Sequence, residues 1–428
     1  MVGQRAREQG MTLVELMVTM VIASIVAAST FMFFAGQQRV YETQTKMLNV
    51  QQNAWAAMEV LTRFVRAAGS GMYGCVRPVG GIVPAPPLKR TPAGTNPDDS
   101  DDPPVVPGGN LSQPPNAGLR AYDPNSPSHM QRIPPLWIVD QVDPNQPANT
   151  GIVSQTDVIT VAFGNRSSGT TFDSSLSGGG LTKTTGAIVL PAGNWQMFQA
   201  NEFIVLVGEP GMGGLASNIG CTLLQVTNSN QANNTLEHAT NRWNPGSDVA
   251  AMIPDSNGYR ALVPPDGYVN TGVRNFGELW WVRFAVVTRL GIPVLTMERL
   301  DGSSTSGPQA LAEGIEDLQV AFACDLDANG SLSEGQGSAG ASDEWILNNP
   351  GDVIAMNRGA KCNQPSAVRL TLVARSLTED NGIDAKLNLN GPPSIENHVH
   401  VCCSQSDTTC CDQYRRRVLT TTVYPRNN

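Results

Sequence analysis

The hydrophobic pattern of the first 68 residues predicts one continuous helix with two different halves. Residues 16–35 contain no charged side chain, and about 20 apolar residues in a helix are enough to cross the hydrocarbon core of a bilayer. From residue 36 onward, apolar residues recur at three- and four-residue spacings, which predicts a single apolar stripe. The stripe consists of Val40, Met47, Val50, Ala54, Met58, Leu61 and Val65. We therefore predict a transmembrane segment over 11–35 and its amphipathic continuation over 36–75, with the helix ending near Gly69 and Gly71.

The pattern changes over residues 76–150, where prolines are frequent and apolar clusters are few. An acidic run, made of Asp98, Asp99, Asp101 and Asp102, lies within it. This composition disfavours a conventional core, so we predict a long surface insertion between helix and sheet. A passive loop and a segment that contacts partners are both open.

Residues 151–428 show strand-like apolar segments separated by Gly, Ser and Asn tracts such as 173–180. Segments at 279–289 and 293–298 flank a turn at Leu290, Gly291 and Ile292, which predicts a hairpin. Trp280 and Trp281 are adjacent on its first strand, so one indole should face inward and the other should be exposed or covered by a loop. The other predicted strands are 157–163, 202–207, 222–227, 367–374 and 417–423. The fold class is α+β: a long helix packed on a β-rich, mostly antiparallel head with long insertions.

Composition and charge narrow the class of protein. The chain has 28 basic and 37 acidic residues, and no basic stripe with interleaved aromatic residues, so a nucleic-acid partner is not expected. Abundant Gly and Pro with few charges suit a loop-rich, β-rich extracytoplasmic domain. The eight cysteines favour disulfides in an oxidising compartment, although their connectivity is open: Cys75, Cys221, Cys324, Cys362, Cys402, Cys403, Cys410 and Cys411. The alternative at 398–413 is zinc, because His398, His400 and Cys402 would share one face of a strand.

One acidic residue, Glu15, lies at the N-terminal edge of the apolar segment. An isolated carboxylate in lipid costs several kcal/mol, so Glu15 requires a partner of opposite charge. A short leader over residues 1–10 precedes it, with Arg5 and Arg7 and a final Gly10. No A-x-A-like site follows the apolar run, so cleavage before the run would retain the span. A plain signal anchor with an acid at the interface is the alternative.

At these residues the chain resembles the type IV prepilin family, whose signature is Gly, a hydrophobic residue, and then T-L-[VI]-E. Here the signature is Gly10, Met11, Thr12, Leu13, Val14 and Glu15, and Met11 departs from the usual Phe. The resemblance implies that a prepilin peptidase cuts between Gly10 and Met11 and methylates the new amino group. It also implies that Glu15 neutralises the α-amino group of a neighbouring subunit in a filament core.

Three further segments resemble the PilW group of minor pilins within that family. LTRFVRAAGSGMYGC (61–75) is similar to the segment that closes the long helix in that group. PQALAEGIEDLQVAFACDLDA (308–328) is similar to its G-[IV]-E turn followed by a strand, with Gly314, Ile315 and Glu316 in the turn. YRRRVLTTTVYPRN (414–427) resembles its terminal strand.

Residues 325–336 have the D-x-D-x-N-G spacing of an EF-hand-like calcium loop. Oxygen ligands would come from Asp325, Asp327, Asn329, Ser331 and Ser333, with Glu334, or Asp343 and Glu344 from the next loop, in support. Gly330 would supply the sharp turn. Gln336 replaces the usual final Glu, so we expect weak Ca²⁺ binding, in the range of about 10⁻⁴–10⁻³ M. The alternative is a solvated turn between strands.

No H-E-x-x-H, P-loop or G-x-S-x-G motif is present, and His129 and His238 are expected to be solvated surface residues, so we do not expect an enzyme. The resemblance implies a minor pilin that acts in assembly, priming or the tip of a type IV pilus. Its partners would be other major and minor pilins, the prepilin peptidase and the inner-membrane assembly machinery. It would lie in the inner membrane with a periplasmic head, and later in the pilus. The alternatives are a minor pseudopilin of a type II secretion system and a calcium-stabilised tip adhesin.

Overall fold

A computed structural model describes more than half of the chain. The described residues are 12–72, 105–106, 119–122, 130–133, 135–140, 142, 151–153, 155–166, 168–170, 187–210, 220–239, 241–244, 268–302, 307–323, 325, 330–334, 344–347, 366–379, 395–396, 398 and 414–425.

Helix α1 runs from Leu13 to Ala67, a span of 55 residues or about 82 Å at 1.5 Å per residue. Its predicted extent is confirmed, and Gly69 and Gly71 follow it with positive φ angles of 74° and 80°. The apolar stripe is buried from position 50 onward: Val50, Ala54, Ala57, Met58, Leu61 and Val65. Val40, in contrast, is exposed. The head therefore covers only the last third of the helix.

The described residues also form nineteen strands and one 3₁₀ turn, at Asn194–Met197. The strands are β1 (Val105–Val106), β2 (Leu119–Tyr122), β3 (Met130–Ile133), β4 (Leu136–Val139), β5 (Val158–Gly164), β6 (Gly169–Thr170), β7 (Ala187–Val189), β8 (Phe203–Pro210), β9 (Gly220–Gln225), β10 (Asn228–Asn230), β11 (Thr235–Glu237), β12 (Tyr268–Gly277), β13 (Leu279–Arg289), β14 (Ile292–Arg299), β15 (Gln309–Glu313), β16 (Ile315–Ala323), β17 (Trp345–Ile346), β18 (Ala367–Arg375) and β19 (Arg416–Val423).

These strands form four sheets within the described residues. The first sheet has the order β1-β4-β5-β13-β14-β15, the C-terminal sheet β17-β16-β18-β19, the middle sheet β3-β2-β9-β8-β12-β6, and the small sheet β10-β11-β7. Pairing is antiparallel except between β1 and β4 and between β2 and β9. The expected α+β class with a mostly antiparallel head is confirmed.

The helix, the first sheet and the C-terminal sheet share one hydrophobic core. The buried stripe of α1 packs with Ile159 and Phe284 of the first sheet and with Leu318 and Leu370 of the C-terminal sheet. Phe64 adds an aromatic contact, with its ring centroid 5.3 Å from that of Phe284 in an edge-to-face arrangement. Helix and head are therefore held together by burial of apolar surface, the dominant favourable term in folding.

The two tryptophans of β13 lie on opposite faces of the first sheet, as predicted. Trp280 packs against the core that contains the helix, and its ring stacks on Phe163 at 6.1 Å. Trp281 packs instead against a second core, together with Met72 and Phe276. Both indoles are half-buried, because the middle sheet covers the face that the helix leaves free.

The predicted surface insertion over residues 76–150 differs from the structure at the end of that segment. Residues Leu136–Val139 are wholly buried and form β4, which pairs with β5 in the first sheet. The expectation of an excursion without core residues is therefore wrong for this part of 76–150. Four consecutive apolar residues after Pro135 suffice for a strand when both faces of a sheet are covered. The acidic run over 98–102 lies outside the described residues.

Glycine residues set two of the sharpest turns. The predicted hairpin is confirmed, and its loop is the two-residue turn Leu290-Gly291, with φ angles of 52° and 80°. Gly314, in the predicted G-I-E turn, has φ of 76° and lies where the chain passes from β15 in the first sheet to β16 in the C-terminal sheet. A Cβ at Gly314 would lie 2.6 Å from the backbone oxygen of Arg375, whereas a Cβ at Gly291 would meet nothing within 4 Å.

We therefore expect Gly314→Ala to destabilise the protein more than Gly291→Ala. Both replacements impose the left-handed conformation on alanine, which costs about 1–2 kcal/mol. Gly314→Ala adds a steric clash with the Arg375 carbonyl, so the total should reach roughly 3 kcal/mol. Denaturant unfolding of both variants measures the difference. Equal losses of stability would show that the sheet crossing does not require glycine for space.

Candidate functional site

The N-terminus of α1 is capped by a residue of the T-L-V-E motif. Thr12 has extended backbone angles, and its hydroxyl oxygen accepts a hydrogen bond from the Glu15 amide at 3.3 Å. Threonine at the N-cap with Glu three residues later is the capping-box spacing. The Thr-x-x-Glu spacing in the sequence is the signal for this role of Thr12. Gly10 and Met11 lie outside the described residues.

The apolar half of α1 is bare in the monomer. Its mean hydropathy reaches 2.2 over an 18-residue window, and none of that window is buried. Hydroxyl groups in this half are satisfied within the helix, since Thr19, Ser24, Ser29 and Thr30 each donate to a carbonyl one turn earlier, at 2.8–2.9 Å. Such a surface suits lipid or other apolar helices. Glu15 is the exception, as an exposed acid in the first turn.

The outward face of α1 within the head borders an open groove of about 1210 Å³. Trp55, with 64% of its surface exposed, lines this groove with Leu48, Glu59 and Arg63. A large aromatic residue left exposed beside charged groups is typical of a contact surface. The outer side of α1 therefore stays exposed along the head as well as in its apolar half.

The described residues of the predicted calcium loop are Asp325 and residues 330–334. One Asp325 oxygen accepts from the Gly330 amide at 2.8 Å, and φ of Gly330 is 79°, so the predicted sharp turn at Gly330 is present.

Two other expected ligands of this loop have partners elsewhere. The Ser333 hydroxyl and amide both donate to Glu344, at 3.2 and 2.9 Å, and Glu334 forms an ion pair with Arg369 at 2.8 Å. Neither is therefore freely available to a cation, and Glu344 is fully buried. Asp327 and Asn329 lie outside the described residues. No group of three His, Cys, Asp or Glu residues within the described part of the chain is placed to hold a metal.

Disulfide bonding of the cysteines stays a prediction. Cys221 lies in β9, and the other seven, Cys75, Cys324, Cys362, Cys402, Cys403, Cys410 and Cys411, lie outside the described residues, as does His400.

His398, a member of the alternative zinc set, is buried, and its Nδ1 lies 2.7 Å from a carboxylate oxygen of Asp317. Gln319 donates to the other Asp317 oxygen at 2.9 Å. This polar cluster joins β16 to the segment that precedes the cysteines.

The expectation that His238 is a solvated surface residue is wrong. Only 5% of its surface is exposed, because it directly follows β11, the central strand of the small sheet. Burial lowers the pKa of His238 below its ordinary value of 6.5 by desolvating the charged form, and a backbone hydrogen bond opposes this shift. The residue is therefore neutral in the folded protein near pH 7.

Comparison with known proteins gives two family matches. The family described as Type IV Pilus-assembly protein W matches residues 280–427, and the prokaryotic N-terminal methylation motif matches residues 5–31. No curated protein and no solved structure gives a significant match. In these two segments the chain is similar to a PilW-like type IV prepilin family.

The PilW match begins in β13 and includes all later strands, so it covers the β13–β14 hairpin, Gly314 and β19. The methylation motif covers the Thr12 cap, Glu15 and much of the bare apolar half of α1. Together the matches support a type IV pilus-related minor pilin. These families are structural components of pili rather than enzymes. The exposed apolar helix and the match to the methylation motif fit a membrane-anchored pilin.

The lowered pKa of His238 predicts a pH dependence of stability. Since the folded state binds the proton less tightly than the unfolded state, this contribution is intact above pH 6.5 and is lost as the pH falls from 6.5 through the lowered pKa. We expect His238→Gln to flatten the stability curve between about pH 6.5 and 5. Thermal melting of both proteins across this range checks it, and parallel curves would contradict it.

Calcium binding is tested by calorimetric titration of the full chain in detergent. We expect weak, saturable heats, with a dissociation constant of roughly 10⁻⁴–10⁻³ M, that disappear in Asp325→Ala. The matched control is Glu313→Ala, which removes an exposed carboxylate on β15. Negligible heats for the unmodified chain would reject the site.

Proposed function

We propose that this chain is a minor pilin of the PilW kind that acts in assembly, priming or the tip of a type IV pilus. A prepilin peptidase processes it between Gly10 and Met11 and methylates the new amino group. The proposal rests on one observation above all: a continuous helix whose C-terminal part is fixed in the head while its apolar N-terminal half is entirely uncovered.

The exposed apolar half of the helix accounts both for insertion into the membrane and for packing in a filament. In the membrane, lipid covers the apolar surface. In a filament, the helices of other pilins replace the lipid, and the satisfied hydroxyls of Thr19, Ser24, Ser29 and Thr30 add no unpaired polar group. The exposed groove beside Trp55 offers a second contact on the head.

Within this proposal, Glu15 sets the register between neighbouring subunits of the filament. The α-amino group of a processed neighbour would bring a positive charge to Glu15, and pairing offsets the cost of burying both groups. The Thr12 cap fixes the first turn, so the position of the carboxylate relative to the rest of the helix is defined. The partners that follow from this proposal are other major and minor pilins and the inner-membrane assembly machinery.

We predict that Glu15→Ala lowers incorporation into fibres at least about ten-fold, because the partner's amino group would be buried without a counter-charge, at a cost of about 3–5 kcal/mol. Quantitative blotting of sheared fibres measures incorporation. Glu42→Ala is the matched control, since Glu42 is also an exposed acid on α1 and bonds only to Gln38 among the contacts described.

Mass spectrometry of the N-terminus separates assembly from processing. We expect N-methylated Met11 at the start of the mature chain in both variants and in the unmodified protein. Normal incorporation of processed Glu15→Ala would refute the role of Glu15. A mature chain that begins elsewhere would remove the basis for the prepilin assignment.

A further inference from the structure

Buried polar atoms without a hydrogen-bond partner concentrate on one face of the first sheet. Among the described residues, six buried side-chain N or O atoms have no such partner in the protein. Four of them lie on three adjacent strands: Trp137 Nε1, Thr160 Oγ1, Trp281 Nε1 and Arg283 Nε. Buried polar groups are nearly always paired, so this concentration needs a physical explanation.

Strand register places three of these side chains in one row across the sheet. Trp137 of β4 is directly opposite Thr160 of β5, and Thr160 is directly opposite Arg283 of β13. Directly opposed side chains have Cβ atoms about 4.5–5.5 Å apart. We call Trp137, Thr160 and Arg283 the donor row. Trp281, opposite Ala162, lies diagonally beside it.

The donor row is on the face of the sheet that points away from α1. The neighbours of these residues along each strand, including Ile138, Ile159, Val282 and Phe284, pack in the core that contains the helix, and successive side chains on a strand face opposite ways. Apolar clusters flank the row on this outer face. Val139, Val158 and Ala285 belong to one cluster, and Leu279 and Ala162 belong to the other.

The unpaired groups of the donor row are mainly hydrogen-bond donors. An indole N–H and a guanidinium N–H only donate, and the threonine hydroxyl can donate as well as accept. Glu298 of β14 continues the row beyond Arg283, but its carboxylate oxygen lies 3.6 Å from Arg283 Nη1, and Arg283 Nε has no bond. The indole N–H of Trp137 and the Nε–H of Arg283 therefore remain without a bonded acceptor, although the Glu298 carboxylate lies nearby.

One end of the donor row is exposed to solvent, and the other end is buried. The side chains of Arg283 and Glu298 are 22% and 34% exposed, whereas Trp137 and Thr160 are only 2% and 0% exposed. Burial lowers the pKa of Arg283 by desolvating its charge, and Glu298 only opposes this shift. A further negative group at Arg283 would stabilise the guanidinium, and it would enter from the Arg283 end.

We infer that the donor row is a binding site for a carboxylate group. The guanidinium offers Nε and one Nη as a planar fork that matches the two oxygens of a carboxylate. The Thr160 hydroxyl and the Trp137 indole N–H, which are more buried, would supply further donors from deeper along the row. A free carboxylic acid and an acidic side chain of a partner peptide share this chemistry.

The test uses the indole N–H groups as reporters. The full chain in detergent micelles, with ¹⁵N-labelled tryptophan, gives seven indole signals for its seven tryptophans, and Trp137→Phe and Trp281→Phe assign the two of interest. We expect acetate, titrated at constant ionic strength against chloride, to shift these two signals saturably. Arg283→Gln should weaken acetate binding at least ten-fold, and Arg289→Gln should not change it, because Arg289 is exposed and donates to the Pro308 carbonyl at the end of the same strand.

A second variant keeps the test decisive if Arg283→Gln fails to fold. Thr160→Val keeps the shape of the side chain and removes the hydroxyl, so it should weaken acetate binding roughly five-fold.

Absent or non-saturating shifts in the unmodified chain, or equal affinities in all variants, would overturn the inference. Tighter binding of inorganic phosphate than of acetate would overturn the carboxylate assignment. N-acetyl-aspartate N-methylamide distinguishes the sources: tighter binding than acetate supports a peptide side chain, and weaker binding supports a free acid.

Discussion

The structure depends on the burial of the apolar stripe of α1 between two sheets. Each fully buried Val, Leu or Met contributes roughly 1.5–3 kcal/mol, and Val50, Met58, Leu61 and Val65 are all buried in the same core. This contact fixes the direction of a helix that continues for about 37 more residues toward its N-terminus, or roughly 55 Å. Because residues 13–42 are all exposed in the described structure, the apolar surface among them has to be covered by lipid or by other helices.

The position of Glu15 at the exposed end of α1 makes its carboxylate the important charge of the apolar half. Glu15 lies in the first turn, where unpaired amide groups and the helix dipole favour negative charge, and the Thr12 cap satisfies one of those amides. These local effects contribute about 1 kcal/mol each, less than the several kcal/mol that an isolated charge costs within a bilayer. Local structure alone therefore does not offset that cost, which supports the proposal that a partner subunit supplies the opposite charge.

The extent to which the fold follows from the sequence differs between its parts. The helix and the β13–β14 hairpin have strong periodic patterns and turn residues, so their existence was predictable from local sequence alone. The strand Leu136–Val139 is not evident from the sequence, because four apolar residues among prolines carry no periodicity. The burial of His238 does not follow from its local sequence, because it depends on the pairing of β11 with β7 and β10, two strands of only three residues each. Pairing of distant segments decides both, and a single sequence does not contain that information in a local form.

The two faces of the first sheet differ in composition. They also differ in which of their residues lie within the matched region 280–427. On the helix side, the face is apolar and complete, and its core is shared with strands of the matched C-terminal region. On the other side, Arg283 and Trp281 come from within residues 280–427, whereas Trp137 and Thr160 come from strands that precede them. A donor row assembled from both regions cannot be a property of the matched region alone. Any ligand specificity at this face must then depend on β4 and β5, the part of the chain that the family matches do not include.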